Sequence, residues 1–200
     1  MNARPAAPPA KLPLLDAILS RADAHYARQN WLAAADFLTL AIEVAPEDSR
    51  IHGALGSLRF QLKEYPAAVE SFSTAVHLCP NDADLQTQLA MVHLQLSQPA
   101  AAEAALGRAI ELRPNDPTAL KLLADSKRDR GHYQDAAIIY GKLINQHPDQ
   151  VGVVLSLARC FFGLGDREGT QAALEHVLAV DPGNEIARDN LAALRDKTQP

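Results

Sequence analysis

The sequence predicts an all-α fold, a right-handed α-solenoid of antiparallel helix pairs stacked side by side. Three observations lead there. Pro46, Pro80, Pro114, Pro148 and Pro182 follow one another at intervals of 34 residues. The chain is 48% hydrophobic but only 5% aromatic, so its apolar content is mostly Ala and Leu, which favour helix over strand. Bulky and small residues also recur in step with the prolines. One column reads Leu55, Leu89, Leu123, Leu157, Leu191, and the next reads Ala22, Gly56, Ala90, Ala124, Ala158, Ala192.

The chain opens with MNARPAAPPAKLP, in which four of thirteen residues are proline. Residues 1–14 are expected to form a flexible Pro/Ala-rich tail that is neither a secretory signal nor a membrane anchor. Five repeats follow, at 15–48, 49–82, 83–116, 117–150 and 151–184, with a capping helix over 185–198. A proline has no backbone N–H and biases the residue before it away from helical angles, so each one resets the chain at the same point of its repeat. Asp48, Asp82, Asp116 and Asn184 stand two places after a proline, where a short side-chain acceptor caps the next helix. Near mid-repeat, Gly131 and Gly165 end a first helix, and Ser97 with Pro99 begins a second. Each repeat is therefore two helices of roughly 13 residues, too short to hide an apolar face without a stacked neighbour.

On the second helices Ala34, Ala68, Ala102 and Ala136 each precede a bulky residue by four places, at Leu38, Phe72, Leu106 and Tyr140. That spacing puts both on one helix face. Leu174 continues the bulky column, while Thr170 replaces the alanine. In the last helix Ile186, Leu191 and Leu194 are expected to be buried, and Arg188, Asp189, Arg195 and Asp196 to stay in solvent.

With these columns in place, the chain resembles the tetratricopeptide repeat family, whose 34-residue helix hairpin and small, large and proline pattern it reproduces. The resemblance spans residues 15–184. It departs at the family's Trp place, held by Ile18, His52, Gln86, Leu120 and Val154, and at its Tyr place, held by His25, Arg59, His93, Lys127 and Phe161. Bulky residues stand one position later, at Tyr26, Phe60, Leu94 and Phe162, and Arg21 interrupts the leucine column.

The resemblance implies a concave wall, lined by the first helix of each pair, that binds a protein or peptide segment. Carried onto this chain, the groove places give an apolar set of Tyr26, Phe60, Met91, Leu94 and Phe162. They also give a basic stretch of Lys121, Arg128 and Arg159, and an acidic early end at Asp16, Asp23 and Asp84. The two-carboxylate clamp of chaperone-binding relatives is not expected, since Asp125 follows Lys121 and Ser156 stands where Asn is needed.

Other chemistry finds little support in the residues. A net charge of −5 with no run of Lys or Arg argues against nucleic acid and against a polybasic membrane patch. No two of the seven histidines are spaced as metal ligands on one helix. GLGDREGT, over 163–170, lacks the Gly-Lys-Ser/Thr ending of a phosphate loop and follows a helix. Cys79 and Cys160 fall in repeats two and five, roughly 25 Å apart if helices stack at their usual spacing, so they are read as free thiols and Cys160 as a small core residue.

No nucleophile motif is present, and the chain is expected to be non-catalytic, without cofactor or metal, and cytoplasmic. The leading expectation is a scaffold or adaptor. Two alternatives are the accessory repeat region of a bacterial glycosyltransferase or methyltransferase system and a type III secretion-type chaperone. Homo-oligomerisation through the stack ends stays open.

Overall fold

The computed structural model describes residues 12–196, and among these it holds eleven α-helices and no strand. The chain divides into two compact units, Met1–Pro114 and Asn115–Pro200. The first contains α1 (Leu12–Ala27), α2 (Trp31–Val44), α3 (Ser49–Gln61), α4 (Tyr65–Leu78), α5 (Ala83–Gln95) and α6 (Pro99–Leu112). The second contains α7 (Pro117–Asp129), α8 (Tyr133–Gln146), α9 (Val151–Gly163), α10 (Arg167–Val180) and α11 (Glu185–Asp196). Helix α1 begins at Leu12, inside the segment expected to be a tail, and the rest of that segment lies outside the described residues. So do the last two residues of the expected capping helix.

Two backbone resets build every repeat. The residues before the five prolines, Ala45, Cys79, Arg113, His147 and Asp181, all leave the helical region, with ψ between 71° and 86°. This is the steric bias that a following proline imposes. Asp48, Asp82, Asp116 and Asn184 then cap the next helix: Asp116 Oδ1, for example, accepts from the N–H groups of Thr118 and Ala119 at 2.9 and 3.0 Å. Gln150 holds the same place before α9 and makes no side-chain cap.

The second reset closes each first helix with one residue in the left-handed region: Gln29, Lys63, Ser97, Gly131 and Gly165, with φ from 55° to 80°. Only glycine enters that region without steric cost. Three of the five turns carry the cost.

The side chain at the family's Tyr place ties the first four hairpins across this turn. His25 stacks on Phe37 with ring centroids 5.3 Å apart. Arg59 donates to Ser71 Oγ at 2.9 Å, His93 shares a hydrogen bond with Gln98, and Lys127 reaches Asp135 at 3.0 Å. Polar bonds and one ring stack do here what a tyrosine does in the family pattern.

Stacking supplies the core within each unit. Inside each unit the helices pack on their chain neighbours, and first helices also touch across a repeat, α3 with α5 and α7 with α9. Ala34, Ala68, Ala102 and Ala136 are fully buried, and Leu38, Phe72, Leu106, Tyr140 and Leu174 are buried beside them. Gly56 shows how close the approach is: a Cβ there would sit 2.9 Å from the Phe72 ring. Cys160 is buried, and both cysteines are free.

The columns end at α11. Ala187 and Leu191 are buried, but Ala192 is exposed, and no helix among the described residues follows α11 to cover that face. Ile186, expected in the core, is 53% exposed. No helix among the described residues is long and apolar enough to cross a membrane.

The turn residues yield a stability test by urea denaturation. Relieving the left-handed strain, which is of order 1–2 kcal/mol, outweighs the added freedom of glycine in the unfolded chain. Lys63→Gly, at φ 61°, is therefore expected to stabilise by roughly 0.5 kcal/mol, and Gly165→Ala, at φ 74°, to destabilise by about 1 kcal/mol.

Candidate functional site

The repeat period places a cleft at the same level of successive hairpins, and each unit keeps one of these clefts open. In the first unit it lies between α1, α2 and α3, a cavity of about 290 Å³ lined by Ala22, Asp23, Tyr26, Leu38, Ser57 and Leu58 among others. In the second it lies between α9, α10 and α11, about 340 Å³, lined by Ala158, Arg159, Phe162, Leu174, Ala193, Leu194 and others. Each residue named for one stands four 34-residue periods from its counterpart in the other. Tyr26 therefore corresponds to Phe162, and Asp23 to Arg159.

These two aromatic residues stand out from their surroundings. Tyr26 is 55% exposed, its ring edge-on to Trp31 at 5.0 Å, and Phe162 is 62% exposed. Phe60 behaves differently: it is half-buried, packed with Phe72 and Leu85 and edge-on to Tyr65 at 5.6 Å. Leu94 is half-buried and Met91 lies at the surface. Tyr26 and Phe162 line clefts, whereas Phe60 belongs to the helix packing.

The expected basic stretch is also divided. At the level between α7 and α9 the cleft position is occupied by a polar network. Arg128 Nη1 donates to Asp125 Oδ1 at 2.8 Å, to the Tyr140 hydroxyl at 2.9 Å and to Ser156 Oγ at 3.1 Å, while its other nitrogens bond Asp129. The Tyr140 hydroxyl donates to Asp125 at 2.5 Å, and Lys121 closes on the other Asp125 oxygen at 2.7 Å. Arg128 fills the place that Tyr26 and Phe162 hold elsewhere, and Tyr140 fills that of Leu38 and Leu174.

Lys121 and Arg128 are thus neutralised within the unit, and neither presents a free charge to a ligand. Arg159 is exposed and, unlike Lys121 and Arg128, meets no acid among the described residues. At the acidic end, Asp84 is paired with Arg113, Asp16 is exposed, and Asp23 remains on the cleft wall without a cation among the described residues.

The network shifts its own titrations. Burial would push the Asp125 carboxyl up, but hydrogen bonds from Lys121 and Tyr140, with the charges of Lys121 and Arg128, outweigh it and hold the group below its ordinary value. Burial pushes the Tyr140 phenol up, and the bond to Asp125 and that carboxylate's charge push it further. Burial also raises the Cys160 thiol, which makes it a poor nucleophile.

Two parts of this arrangement escaped the sequence reading. Asp125 stands four places after Lys121 and three before Arg128, which is the spacing of helix ion pairs. Ile186 is expected in the core, although it stands four periods after Arg50, an exposed residue of α3.

The comparisons with known proteins follow this geometry. A tetratricopeptide repeat profile matches residues 19–83 and 87–150, and a second matches 127–194. The chain belongs to the tetratricopeptide repeat family. Among curated proteins none matches significantly in sequence. Solved structures share the tetratricopeptide solenoid fold. A crystal structure of MamA aligns with a TM-score of 0.80 at 20% identity, over 84% of this chain and 92% of that one. YrrB, described as a TPR protein with an unusual peptide-binding site, aligns at 0.78 and 20% identity, over 92% of this chain and 98% of that one. A tetratricopeptide repeat protein from Parabacteroides merdae aligns at 0.81 and 14% identity, over 91% and 72%.

The polar network predicts a pH dependence. Asp125 titrates lower folded than unfolded, so between the two values the unfolded chain holds the extra proton. Its stabilisation is complete above the unfolded value near 3.8 and is lost as pH falls through the folded one. Asp125→Asn is expected to lower stability at pH 7 by roughly 1–3 kcal/mol, since it weakens the bonds of a half-buried Arg128 and of the Tyr140 hydroxyl. Thermal melts should show a shallower acid-side fall for the variant, and an unchanged slope would contradict the assignment.

Proposed function

We propose that this tetratricopeptide repeat protein is an interaction scaffold that holds a segment of a partner protein in the clefts lined by its first helices. One observation carries the reading. Each unit keeps a cleft with a largely exposed aromatic ring and an adjacent charge that meets no counter-charge among the described residues, at Tyr26 with Asp23 and at Phe162 with Arg159. Exposed aromatic residues beside a concave apolar floor are the composition of binding hot spots. The peptide-binding site described for YrrB, which has the same fold, supports a peptide or protein segment as the ligand class.

Site-specific photocrosslinking tests the reading. A photoreactive residue at Ala54 or Ala193, both on cleft walls, is expected to trap partners in cells producing the protein. The same residue at Thr74 or Glu175, exposed on the second helices α4 and α10, is expected to trap at least fivefold less. Equal yields from both sets would place the partner elsewhere and refute the proposal.

A further inference from the structure

We propose that the cleft between α9, α10 and α11 seats one large apolar side chain of a partner segment, and that Arg159 receives a carboxylate from a residue next to that anchor. The inference rests on the scaffold reading above and specifies the ligand for one of its clefts.

Room comes first. The cleft offers about 340 Å³, against the roughly 150 Å³ that suffice for a benzene ring in an apolar cavity. Leu155, Phe162, Leu174 and Ile186 supply an apolar floor and walls. Ile186 is informative because the opposite face of α11 buries Ala187 and Leu191, so the helix turns a second apolar residue toward the cleft instead of toward the core. An aliphatic or aromatic side chain entering there would cover surface that the hairpins themselves leave in water.

Charge then selects what accompanies it. Arg159 and Asn190 stand on the lining, and neither meets a counter-charge among the described residues. The nearby Asp166 is occupied in capping α10, accepting from Gly169 N–H at 2.9 Å, and Arg167 is drawn to the Leu194 carbonyl. Asp189 does not line the cleft. The wall is therefore positive and supplied with donors. A carboxylate beside the anchor would gain a charge-assisted, bidentate bond to the guanidinium, whereas a lysine there would meet like charge. The cleft between α1 and α3 has the same shape with Asp23 at the Arg159 position, and so serves as an internal control of opposite sign.

The test uses the full chain and three amidated, acetylated peptides: Gly-Asp-Phe-Asp-Gly, Gly-Lys-Phe-Lys-Gly and Gly-Asp-Ala-Asp-Gly. Backbone NMR shifts locate binding and titration gives affinity. The acidic Phe peptide is expected to shift amides of α9 and α11 and to bind about tenfold tighter than the lysine peptide at that cleft. The Ala peptide should bind at least tenfold more weakly. Arg159→Gln should remove most of the charge preference, and Arg159→Glu should reverse it, with melts unchanged because the side chain is exposed.

An Arg159→Glu variant that keeps the acidic preference would overturn the proposal, as would shifts confined to other helices. Shifts of the same amides that grow with protein concentration alone would assign the cleft to a second copy of the chain and overturn it too. If the peptides show no charge preference while Ala193 still crosslinks partners, the ligand rule fails and the scaffold reading stands. If Ala193 also fails to crosslink, both fall.

Discussion

Register is the constraint on which the molecule depends. Each hairpin is two helices of 13 to 16 residues, too short to be stable alone in water, and its apolar face must meet the next hairpin in phase. The meeting is fixed by backbone geometry before any side chain packs. A pre-proline residue leaves the helical region after every second helix, and a left-handed residue closes every first one, each at the same place of the 34-residue period. One residue inserted between those resets would turn the following face by about 100°, enough to swing an alanine column out of its neighbour. That the alanines at Ala34, Ala68, Ala102 and Ala136 are all fully buried shows how closely the register is kept.

The same periodicity that builds the core also repeats the clefts, and side chains decide what becomes of each. One position of the first helix carries Tyr26, Phe60, Arg128 and Phe162 in four repeats. Phe60 turns into the packing beside Tyr65, Arg128 fills its cleft with a bonded network, and the other two leave theirs open. The backbone is common to all of them. Differences in binding capacity therefore follow from single residues at a repeated place, which is how a scaffold acquires distinct sites without a change of fold.

The fold was legible because its determinants are local and periodic. Proline spacing, Asp caps and the alternation of small with bulky residues are all visible along the chain, and the helices lie where those signals put them. The left-handed turns at Gln29 and Lys63 were not visible, because a tertiary stack can hold a non-glycine residue at a cost of order 1 kcal/mol that sequence alone does not reveal. The site was read less well for a similar reason. Groove positions come from the family register, but whether Lys121 and Arg128 face a ligand depends on Tyr140 and Ser156, which arrive from the neighbouring helices. Spacing showed which charges share a helix face. It could not show that a phenol from the next helix would join them.

The filled and open clefts pull stability and binding in opposite directions. At the α7–α9 level an arginine, an aspartate, a tyrosine and a serine satisfy one another across three helices, so the repeats there are pinned and a ligand would have to break bonds to enter. At the α9–α11 level no comparable network joins three helices among the described residues, and Phe162 and Ile186 are more than half exposed. Water contact with those surfaces is unfavourable in the free protein and is relieved by whatever covers them. On the proposed reading, the energy for binding would reside in surface that the core does not use. Residues such as Arg159 can change there without disturbing the alanine columns, which leaves specificity free to vary while the register stays fixed.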